Sequence, residues 1–341
     1  MHISEVVYIK RYGNLWGQIT SMDNIKAAHI RARKGKALKA AEVDADLDNH
    51  LQGIQNMLLN KTFRSSEYRF FTKKDNGKIR EIADLPYYPD RIVHWALIRV
   101  LEPLFLKTFI SQTYAALPNK GTHACLNQLH EYFRDVEGTK YCLKLDVRKY
   151  FPSMDKEILK AKFRTFIKDE DTLWLIDRII DDYPKSGIPI GNYTSQYFGN
   201  FYLSEFDHYV KEELGIKYYL RYMDDIVILC DNKRQLWEWK DKIDTHMKDE
   251  LHATLKDNAQ VFPVESRGVD FVGYRSFHDY ALLRTRTKKK LKRRCRYLLK
   301  KQEKGEPFNE TDLGVIASYN GILMYGDCYR LRQETLAKIK S

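Results

Sequence analysis

The sequence predicts an α+β fold, in which an antiparallel sheet carries acidic residues and helices precede and follow it. Two apolar segments, 218–220 and 226–229, flank the adjacent acids Asp224 and Asp225, which is the pattern of a strand, a turn and a strand. A third segment of this kind, 141–145, ends at Asp146. Apolar residues at helical spacing within 284–301 predict a long helix near the C-terminus.

The acids of these strands are candidates for a metal site. Two neighbouring aspartates at the tip of a buried hairpin repel each other, and the pair therefore needs a compensating cation. Acids from separate strands can converge on two divalent ions roughly 3.5–4 Å apart, which activate the attacking oxygen and stabilise the leaving oxygen of phosphoryl transfer. Asp146, Asp224 and Asp225 can supply such a site, and Mg²⁺ suits so small a set because it keeps water and substrate phosphates as ligands.

A second pair of adjacent acids serves as a comparison. Asp181 and Asp182 end an apolar run and precede Tyr183-Pro184. This setting predicts a solvated loop without a metal.

The 341 residues carry a net charge of +12, which indicates a polyanionic partner. The charge alone identifies no active site. The five cysteines are scattered and form no Cys-x-x-Cys pair, which argues for reduced thiols and against a zinc site or a disulfide framework. Residues 1–5 lack the pattern of a signal peptide, and no apolar run approaches roughly 18 residues. We therefore expect a cytoplasmic protein without a membrane partner. No phosphate-binding loop of the ATPase type is found.

The N-terminal part is expected to combine helices with one hairpin. Residues 22–62 are helical in pattern, and residues 67–82 alternate as a hairpin that turns at Asp75-Asn76-Gly77. Four basic residues flank this turn, namely Lys73, Lys74, Lys78 and Arg80. Taken alone, they would form a solvated charged turn.

Several motifs together resemble those of reverse transcriptases. Tyr222-Met223-Asp224-Asp225 resembles their catalytic box, and the segment that ends at Asp146 resembles their first palm motif. Segments 84–97 and 118–124 are similar to the fingers of the bacterial enzymes, and segment 268–274 is similar to the hairpin that contacts the primer. The resemblance covers roughly residues 70 to 275 and implies a right-hand polymerase with fingers, an antiparallel-sheet palm and a helical thumb.

The resemblance also implies a division of the chain. The expected parts are an N-terminal region with fingers at 1–100, palm at 101–152, further fingers at 153–190, palm with the catalytic hairpin at 191–276, and thumb at 277–341.

In this resemblance, the acids hold two Mg²⁺ ions, or Mn²⁺ in their place. Asp146, Asp224 and Asp225 are the implied ligands, and the carbonyl group of Val147 is a further one. Lys256 is the implied donor of a proton to the pyrophosphate that leaves, although a loop lysine is commonly only solvated.

Three further residues have implied contacts with the nucleotide. Lys73 and Arg80 would reach its triphosphate. Phe151 would pack under the deoxyribose and leave no room for a 2′-hydroxyl group, which implies DNA synthesis. An aromatic residue near the end of a strand can equally be part of the core.

The segment 187–196 indicates a subfamily. It resembles the motif that positions template and nucleotide, in which Gly191 permits a close approach of the backbone and a helix starts near Ser195. Many reverse transcriptases have Gln before this Gly and Pro after this Ser, whereas this chain has Ile190 and Gln196. That pattern, with segments 318–321 and 329–332, is similar to the reverse transcriptases of diversity-generating retroelements.

The subfamily resemblance implies a function and partners. Such enzymes copy a template RNA into cDNA with errors at adenines, and the cDNA diversifies a gene by mutagenic retrohoming in a bacterial or phage-infected cell. The implied partners are the template RNA, the cDNA/RNA duplex, dNTPs and a small basic accessory variability protein. Replacing an amide side chain by the aliphatic Ile190 would remove hydrogen bonds that restrain the nucleotide.

The segment 284–301 carries eleven basic residues around one apolar stripe. A helix of this kind suits the phosphate backbone of a duplex, although a solvated face or a localisation signal has the same composition.

Three alternatives remain open at this stage. A retron-like or phage-defence reverse transcriptase would share the chemistry but copy faithfully, and retron enzymes commonly have Ala in the place of Met223. A metal-dependent nuclease would use similar acids, but Phe151 and the basic hairpin would then have no function. A non-catalytic nucleic-acid-binding scaffold would explain the charge alone.

Overall fold

The structure is a computed structural model that describes residues 11–75 and 77–339, without the side chains of Asp75 and Lys78. Helices and antiparallel strands make up the described chain, which confirms the α+β class. The expectations for residues 1–5 and for Asn76 lie outside the described residues. No helix in the described part is both long and apolar enough to cross a membrane.

The helices are named here in chain order. They are α1 (Trp16–Thr20), α2 (Met22–Ala32), α3 (Ala37–Ala45), α4 (Leu47–Leu59), α5 (Ile92–Thr108), α6 (Thr122–Phe133), α7 (Tyr150–Ser153), α8 (Lys156–Phe166), α9 (Glu170–Asp181), α10 (Tyr193–Tyr202), α11 (Ser204–His208), α12 (Lys233–Leu251), α13 (Val264–Arg267), α14 (Thr285–Glu303), α15 (Glu310–Met324) and α16 (Tyr329–Glu334). Helices α2, α3 and α4 confirm the helical pattern of residues 22–62. The hydroxyl group of Ser21 accepts a hydrogen bond from the amide of Asn24 and so caps α2.

The strands form three sheets. They are β1 (Arg69–Asp75), β2 (Lys78–Asp84), β3 (Tyr141–Asp146), β4 (Tyr218–Tyr222), β5 (Asp225–Cys230), β6 (Gln260–Pro263), β7 (Val269–Phe271), β8 (Tyr274–Ser276) and β9 (Ala281–Leu283). Strands β1 and β2 pair as a hairpin, and β7, β8 and β9 form a three-stranded sheet. The largest sheet has the order β4-β5-β3-β6, and each pair in it is antiparallel.

The chain divides into two compact units. One contains Met1–Ser111, Val147–Glu213 and Ile243–Leu255, and the other contains Gln112–Asp146, Leu214–Lys242 and Lys256–Ser341. The β1-β2 hairpin belongs to the first unit, whereas the four-stranded sheet and the C-terminal helices belong to the second. The expected boundaries of fingers, palm and thumb stay a prediction.

The four-stranded sheet holds the acidic hairpin. Residues 226–229 of β5 are buried without interruption, as expected for a strand that is covered on both faces. Around it packs a core cluster that includes Leu129, Cys142, Leu220 and Phe262. The sequence does not clearly predict strand β6, because it has only three consecutive apolar or proline residues before α13 begins.

The C-terminal helices pack on one another in the second unit. Leu291, Cys295 and Leu298 of α14 are buried, which confirms the apolar stripe. They share a cluster with Leu323 of α15 and Leu331 of α16. The predicted hairpin at 268–274 is confirmed as β7 and β8, whereas β9 was not predicted.

The expectation of a loop at the second acidic pair is wrong. Asp181 is the last residue of α9 and forms an ion pair with Lys160 at 3.0 Å. The carboxylate of Asp182 accepts a hydrogen bond from the amide of Ser65 at 2.8 Å, and only 17% of its side chain is exposed. Asp181 thus ends a helix, and Asp182 fixes the backbone at Ser65. Both roles depend on contacts between residues that are distant in sequence.

Candidate active site

The three candidate acids lie in the second unit at one end of the four-stranded sheet. Asp146 is the last residue of β3, Asp225 is the first residue of β5, and the two are directly opposite in the antiparallel register. Side chains of directly opposite residues project from the same face, with Cβ atoms about 4.5–5.5 Å apart. Asp224 occupies the turn between β4 and β5. Like charges in opposite positions destabilise a sheet, so this pair needs compensating positive charge.

The turn that carries Asp224 has an unusual backbone. Tyr222 pairs with Asp225, which leaves Met223 and Asp224 as a two-residue turn, and Met223 has a φ of 58°. The left-handed region costs a residue other than glycine about 1–2 kcal/mol. Such strained positions persist where the surrounding structure compensates for them.

Arg221 supports this turn from within the second unit. Its side chain is fully buried, and its Nη1 donates a hydrogen bond to the carbonyl oxygen of Met223 at 3.0 Å. Its backbone amide donates to the carbonyl oxygen of Gln112 at 3.0 Å, and its carbonyl oxygen accepts from the amide of Tyr114 at 3.1 Å. Arg221 was not predicted from the sequence, although a single arginine inside an apolar strand is a signal that could have indicated it.

Each strand acid has a lysine beside it. Lys144 Nζ lies 3.3 Å from Oδ1 of Asp225, and Lys256 Nζ contacts Oδ1 of Asp146. The backbone amide of Lys256 also donates to the carbonyl oxygen of Asp146 at 2.8 Å. About 30% of each carboxylate side chain is exposed (29% for Asp146 and 31% for Asp225). The structure therefore places Lys256, the candidate proton donor, against a candidate metal ligand.

Burial and crowding of charge change the acidity of these groups. Burial, followed by the negative charge of Asp146, raises the pKa of Asp224 to about 6. Burial also raises the pKa of Asp225, while the ammonium group of Lys144 partly offsets this rise. The ionised carboxylates therefore need a cation that their surroundings supply only in part.

These residues fit a divalent ion that brings other ligands with it. Oδ1 of Asp225 is buried and has no hydrogen-bond partner of good geometry among the described residues. Within residues 11–75 and 77–339, no three His, Cys, Asp or Glu side chains lie close enough together to hold one ion. Mg²⁺ commonly binds one or two carboxylates and completes its shell with water and phosphate oxygens, which agrees with this donor set.

The candidate triphosphate contacts lie on the hairpin of the first unit. Lys73 of β1 and Arg80 of β2 are directly opposite in the register, and both are exposed. Gly77 in the turn has a φ of 82°, which glycine adopts without strain. Two cations in opposite positions repel, so the pair suits an anionic ligand more than it suits the stability of the hairpin.

Phe151 lies in α7 of the first unit and is partly exposed. Its carbonyl oxygen accepts a hydrogen bond from the amide of Ile188 at 3.0 Å. Gly187 has a φ of 71°, and a Cβ atom there would lie 2.2 Å from this oxygen. Val147, four residues before Phe151, is buried and forms a backbone bridge with Leu255. The backbone of Phe151 is thus held against the start of the segment 187–196.

The rest of that segment is fixed to β2. The carbonyl oxygen of Ile190 accepts a hydrogen bond from the amide of Ala83 at 2.9 Å. Gly191 has a φ of 140°, and a Cβ atom there would lie 2.4 Å from the carbonyl oxygen of Ala83. Gln196 is exposed on α10, which begins at Tyr193, two residues before the expected start. The first unit therefore holds two predicted nucleotide residues, Ile190 and Gly191, against β2, the strand that carries Arg80.

The basic helix α14 is less available to a ligand than its composition suggests. Arg294 and Lys301 form ion pairs at 2.8 and 2.7 Å with Asp312, of which 1% is exposed. Lys292 forms an ion pair with Glu334 at 3.1 Å. Several cations, including Arg293 and Arg296, remain exposed on this helix.

Comparison with known proteins identifies the family. Residues 71–276 match the family model described as reverse transcriptase (RNA-dependent DNA polymerase). This span is more than half of the 341 residues, and the chain belongs to the reverse transcriptase family.

Two curated relatives are similar over part of their length. Protein YkfC of Escherichia coli is 25% identical, over 55% of this chain and 51% of that protein. The group II intron-encoded protein LtrA of Lactococcus lactis is 23% identical, over 50% of this chain and 31% of that protein. The matched regions thus span about half of the first relative and about a third of the second.

Two solved telomerase structures are partly similar to this chain. Those of Candida tropicalis and Candida albicans, each in complex with a fragment of telomeric RNA, have TM-scores of 0.49. They are 12% and 11% identical to this chain, and the likeness covers 67% and 68% of this chain and 47% and 50% of theirs.

Proposed function

We propose that this chain is an RNA-directed DNA polymerase that copies a template RNA into cDNA. The observation that carries this proposal is the pairing of Asp146 with Asp225 across two strands, next to Asp224 in a strained turn, in a chain of the reverse transcriptase family. Catalysis in such a site is mainly positioning and neutralisation of charge.

The proposed metal ligands are Asp146, Asp224 and Asp225, with the carbonyl oxygen of Val147 as a further candidate. Bound Mg²⁺ or Mn²⁺ supplies activation of the primer 3′-hydroxyl group and neutralises charge on the triphosphate. The crowded carboxylates favour such binding, because a cation offsets the burial and the repulsion by Asp146 that raise the pKa of Asp224.

The proposed nucleotide contacts come from residues of this chain. Lys73 and Arg80 bind the triphosphate, and the ring of Phe151 excludes a 2′-hydroxyl group. Gly191 and Gln196 position the nucleotide against the template. Lys256 donates a proton to pyrophosphate.

The test of polymerase activity is primer extension on an RNA template with all four dNTPs and Mg²⁺. The wild type should produce cDNA, and Asp224→Ala/Asp225→Ala should produce none. The matched control is Glu238→Ala/Asp241→Ala, which removes two acids from the outer face of α12 and should keep the activity. Equal cDNA synthesis by the wild type and the Asp224/Asp225 variant would refute the proposal.

We further propose that the enzyme is error-prone at adenines and serves mutagenic retrohoming. The support is Ile190, where an aliphatic side chain cannot make the hydrogen bonds of an amide. A loss of about 1.4 kcal/mol in orientation changes discrimination tenfold, so a small loss of restraint permits mispairs to react. The proposed partners are the template RNA and a small basic accessory variability protein.

Sequencing of the cDNA tests this finer proposal. Errors should concentrate opposite template adenines, and Ile190→Gln should reduce them while Ile190→Leu should not. Accurate copying by the wild type, both alone and with a supplied accessory protein, would reject the mutagenic function. It would favour a retron-like or phage-defence enzyme and leave the polymerase assignment intact.

A further inference from the structure

Lys144 reaches the candidate active site from within the sheet. It precedes Asp146 by two residues on β3, and alternate residues of a strand project from the same face. Its direct partner on β5 is Val227, so Asp225 is its diagonal neighbour, within reach of a long side chain. The register therefore brings Lys144, Asp146 and Asp225 to one face of the sheet.

The ammonium group of Lys144 has two partners. It lies 3.3 Å from Oδ1 of Asp225 and donates a hydrogen bond to the backbone carbonyl oxygen of Asp270. It also lies 5.7 Å from the centre of the Phe271 ring. Only 25% of the side chain is exposed, and a lysine at such depth needs compensating partners.

The second partner belongs to a separate sheet of the same unit. Asp270 lies in β7, and its carboxylate forms an ion pair with Arg284, the residue that precedes α14. A chain of contacts therefore runs from Asp225 through Lys144 to Asp270 and on to Arg284. It joins a candidate metal ligand to the β7-β8 hairpin and to the base of the basic helix.

We propose that Lys144 is a positioning residue, which fixes the orientation of Asp225 and ties it to the β7-β8 hairpin. This inference rests on the proposed function, in which Asp225 belongs to the metal site and the hairpin contacts the primer. Lys144 then holds the acid and the primer-contacting backbone in a constant relation.

The charge of Lys144 has a second effect. An ammonium group 3.3 Å from a carboxylate opposes the binding of a metal cation to it. Replacing the ammonium group by the uncharged end of an unbranched methionine side chain should tighten metal binding, while the freed Asp225 supports the reaction less well. Simple destabilisation of the fold would not produce tighter binding together with slower chemistry.

The experiment compares Lys144→Met, Lys144→Arg and Lys140→Met in the full chain. Lys140 is the matched control, because it lies just before β3 and its side chain pairs with the exposed Glu137. Mn²⁺ affinity of the protein without nucleic acid is measured by electron paramagnetic resonance, and the primer-extension rate is measured at saturating Mg²⁺ and dNTP. Thermal melting and duplex affinity are recorded for each variant.

Lys144→Met should bind Mn²⁺ at least threefold more tightly and extend primers at least tenfold more slowly, with duplex affinity within twofold of the wild type. Lys144→Arg should lie within threefold of the wild type in both measurements, and Lys140→Met should match it. In an Asp225→Asn background, Lys144→Met should no longer change Mn²⁺ affinity, because the two residues act as a pair.

Unchanged or weaker Mn²⁺ binding by Lys144→Met would overturn the inference, and so would a gain that persists with Asp225→Asn. A wild type that binds no Mn²⁺ would overturn it as well. A wild type that binds Mn²⁺ but makes no cDNA would reject the proposed function, and the Mn²⁺ titrations would still decide whether Lys144 acts on Asp225.

Discussion

The buried guanidinium group of Arg221 donates a hydrogen bond to the carbonyl oxygen of Met223, two residues further along the chain. Met223 is the left-handed residue of the turn that presents Asp224. A hydrogen bond from a charged donor contributes about 1.5–3 kcal/mol, which is comparable to the cost of the left-handed backbone. Arg221 therefore offsets the strain that aims Asp224.

Replacing Arg221 should disturb the turn more than the fold. We expect Arg221→Met to lower the primer-extension rate at least tenfold and Arg221→Lys to retain an intermediate rate, because a lysine can still donate to Met223. Rapid-quench kinetics at saturating dNTP measures the rate, and circular dichroism establishes that the sheet remains. A folded Arg221→Met variant with the wild-type rate would show that the turn keeps its shape without this hydrogen bond.

The local sequence pattern predicts the strands and the turn of the site better than it predicts the residues that hold them in place. The apolar runs on either side of Asp224 and Asp225 predict a hairpin, because strand pairing and a two-residue turn are local properties. A charged residue in a strand is by default assigned to the solvent face, so the burial of Arg221 was missed. Its partners lie near residue 113, more than a hundred residues earlier.

Strand register accounts for other features of the site that the sequence did not predict. Whether Asp146 is opposite Asp225 or displaced by one residue cannot be obtained from either strand alone, yet it decides which side chains share a face. Lys144 had no assigned role for this reason. Asp182 was misjudged because its hydrogen bond to Ser65 joins segments distant in sequence.

Gly191 should tolerate no side chain. Its φ of 140° and the approach of its Cβ position to within 2.4 Å of a backbone oxygen leave Gly191→Ala both strained and overlapping. We expect a loss of more than about 2 kcal/mol in the free energy of unfolding. Gly17→Ala in α1 is the control, because no atom lies within 4 Å of its added Cβ, and it should be neutral or stabilising by up to about 1 kcal/mol. Denaturant titration compares the two, and equal stabilities would contradict the overlap.

His94 should make the stability depend on pH. Burial, followed by the charge of Arg91, lowers the pKa of its imidazole to about 3, against about 6.5 for an unfolded chain. The contribution of His94 to the free energy of unfolding is therefore fully present above pH 6.5. It is lost as the pH falls below that value, because only the unfolded chain then takes up the proton. Between pH 7 and pH 5 this loss is about 2 kcal/mol.

Urea titrations at several pH values test this expectation. The wild type should lose stability on acidification, and His94→Gln should lack the part that His94 contributes. His50→Gln, at a less buried histidine, is the control and should retain the slope of the wild type. An identical pH dependence for His94→Gln and the wild type would assign the slope to other groups.

Phe151 should determine the choice of sugar. The backbone of this residue is fixed by the hydrogen bond to Ile188, so substitutions should act through the ring alone. We expect Phe151→Ala to incorporate ribonucleotides at least tenfold more efficiently relative to deoxyribonucleotides, and Phe151→Tyr to keep the preference. Single-nucleotide incorporation with paired dNTP and rNTP substrates measures the ratio. An unchanged ratio in an active Phe151→Ala variant would assign the ring to the core.

Two adjacent arginines of α14 should act differently. Arg293 is exposed, whereas Arg294 neutralises the buried Asp312 together with Lys301. Each phosphate contact releases counterions, so Arg293→Gln should reduce the slope of log affinity for an RNA/DNA duplex against log salt by about one. Arg294→Gln leaves the carboxylate of Asp312 with one partner fewer and should destabilise the unit.

Duplex binding at several salt concentrations, together with thermal melting, separates these two roles. Arg293→Gln should change the salt dependence and leave the melting temperature unaltered, and Arg294→Gln should show the reverse. If both variants changed the salt slope equally, the ion pair with Asp312 would have to open when the duplex binds. If neither changed it, the duplex would lie against another face, and the charge of α14 would serve solvation alone.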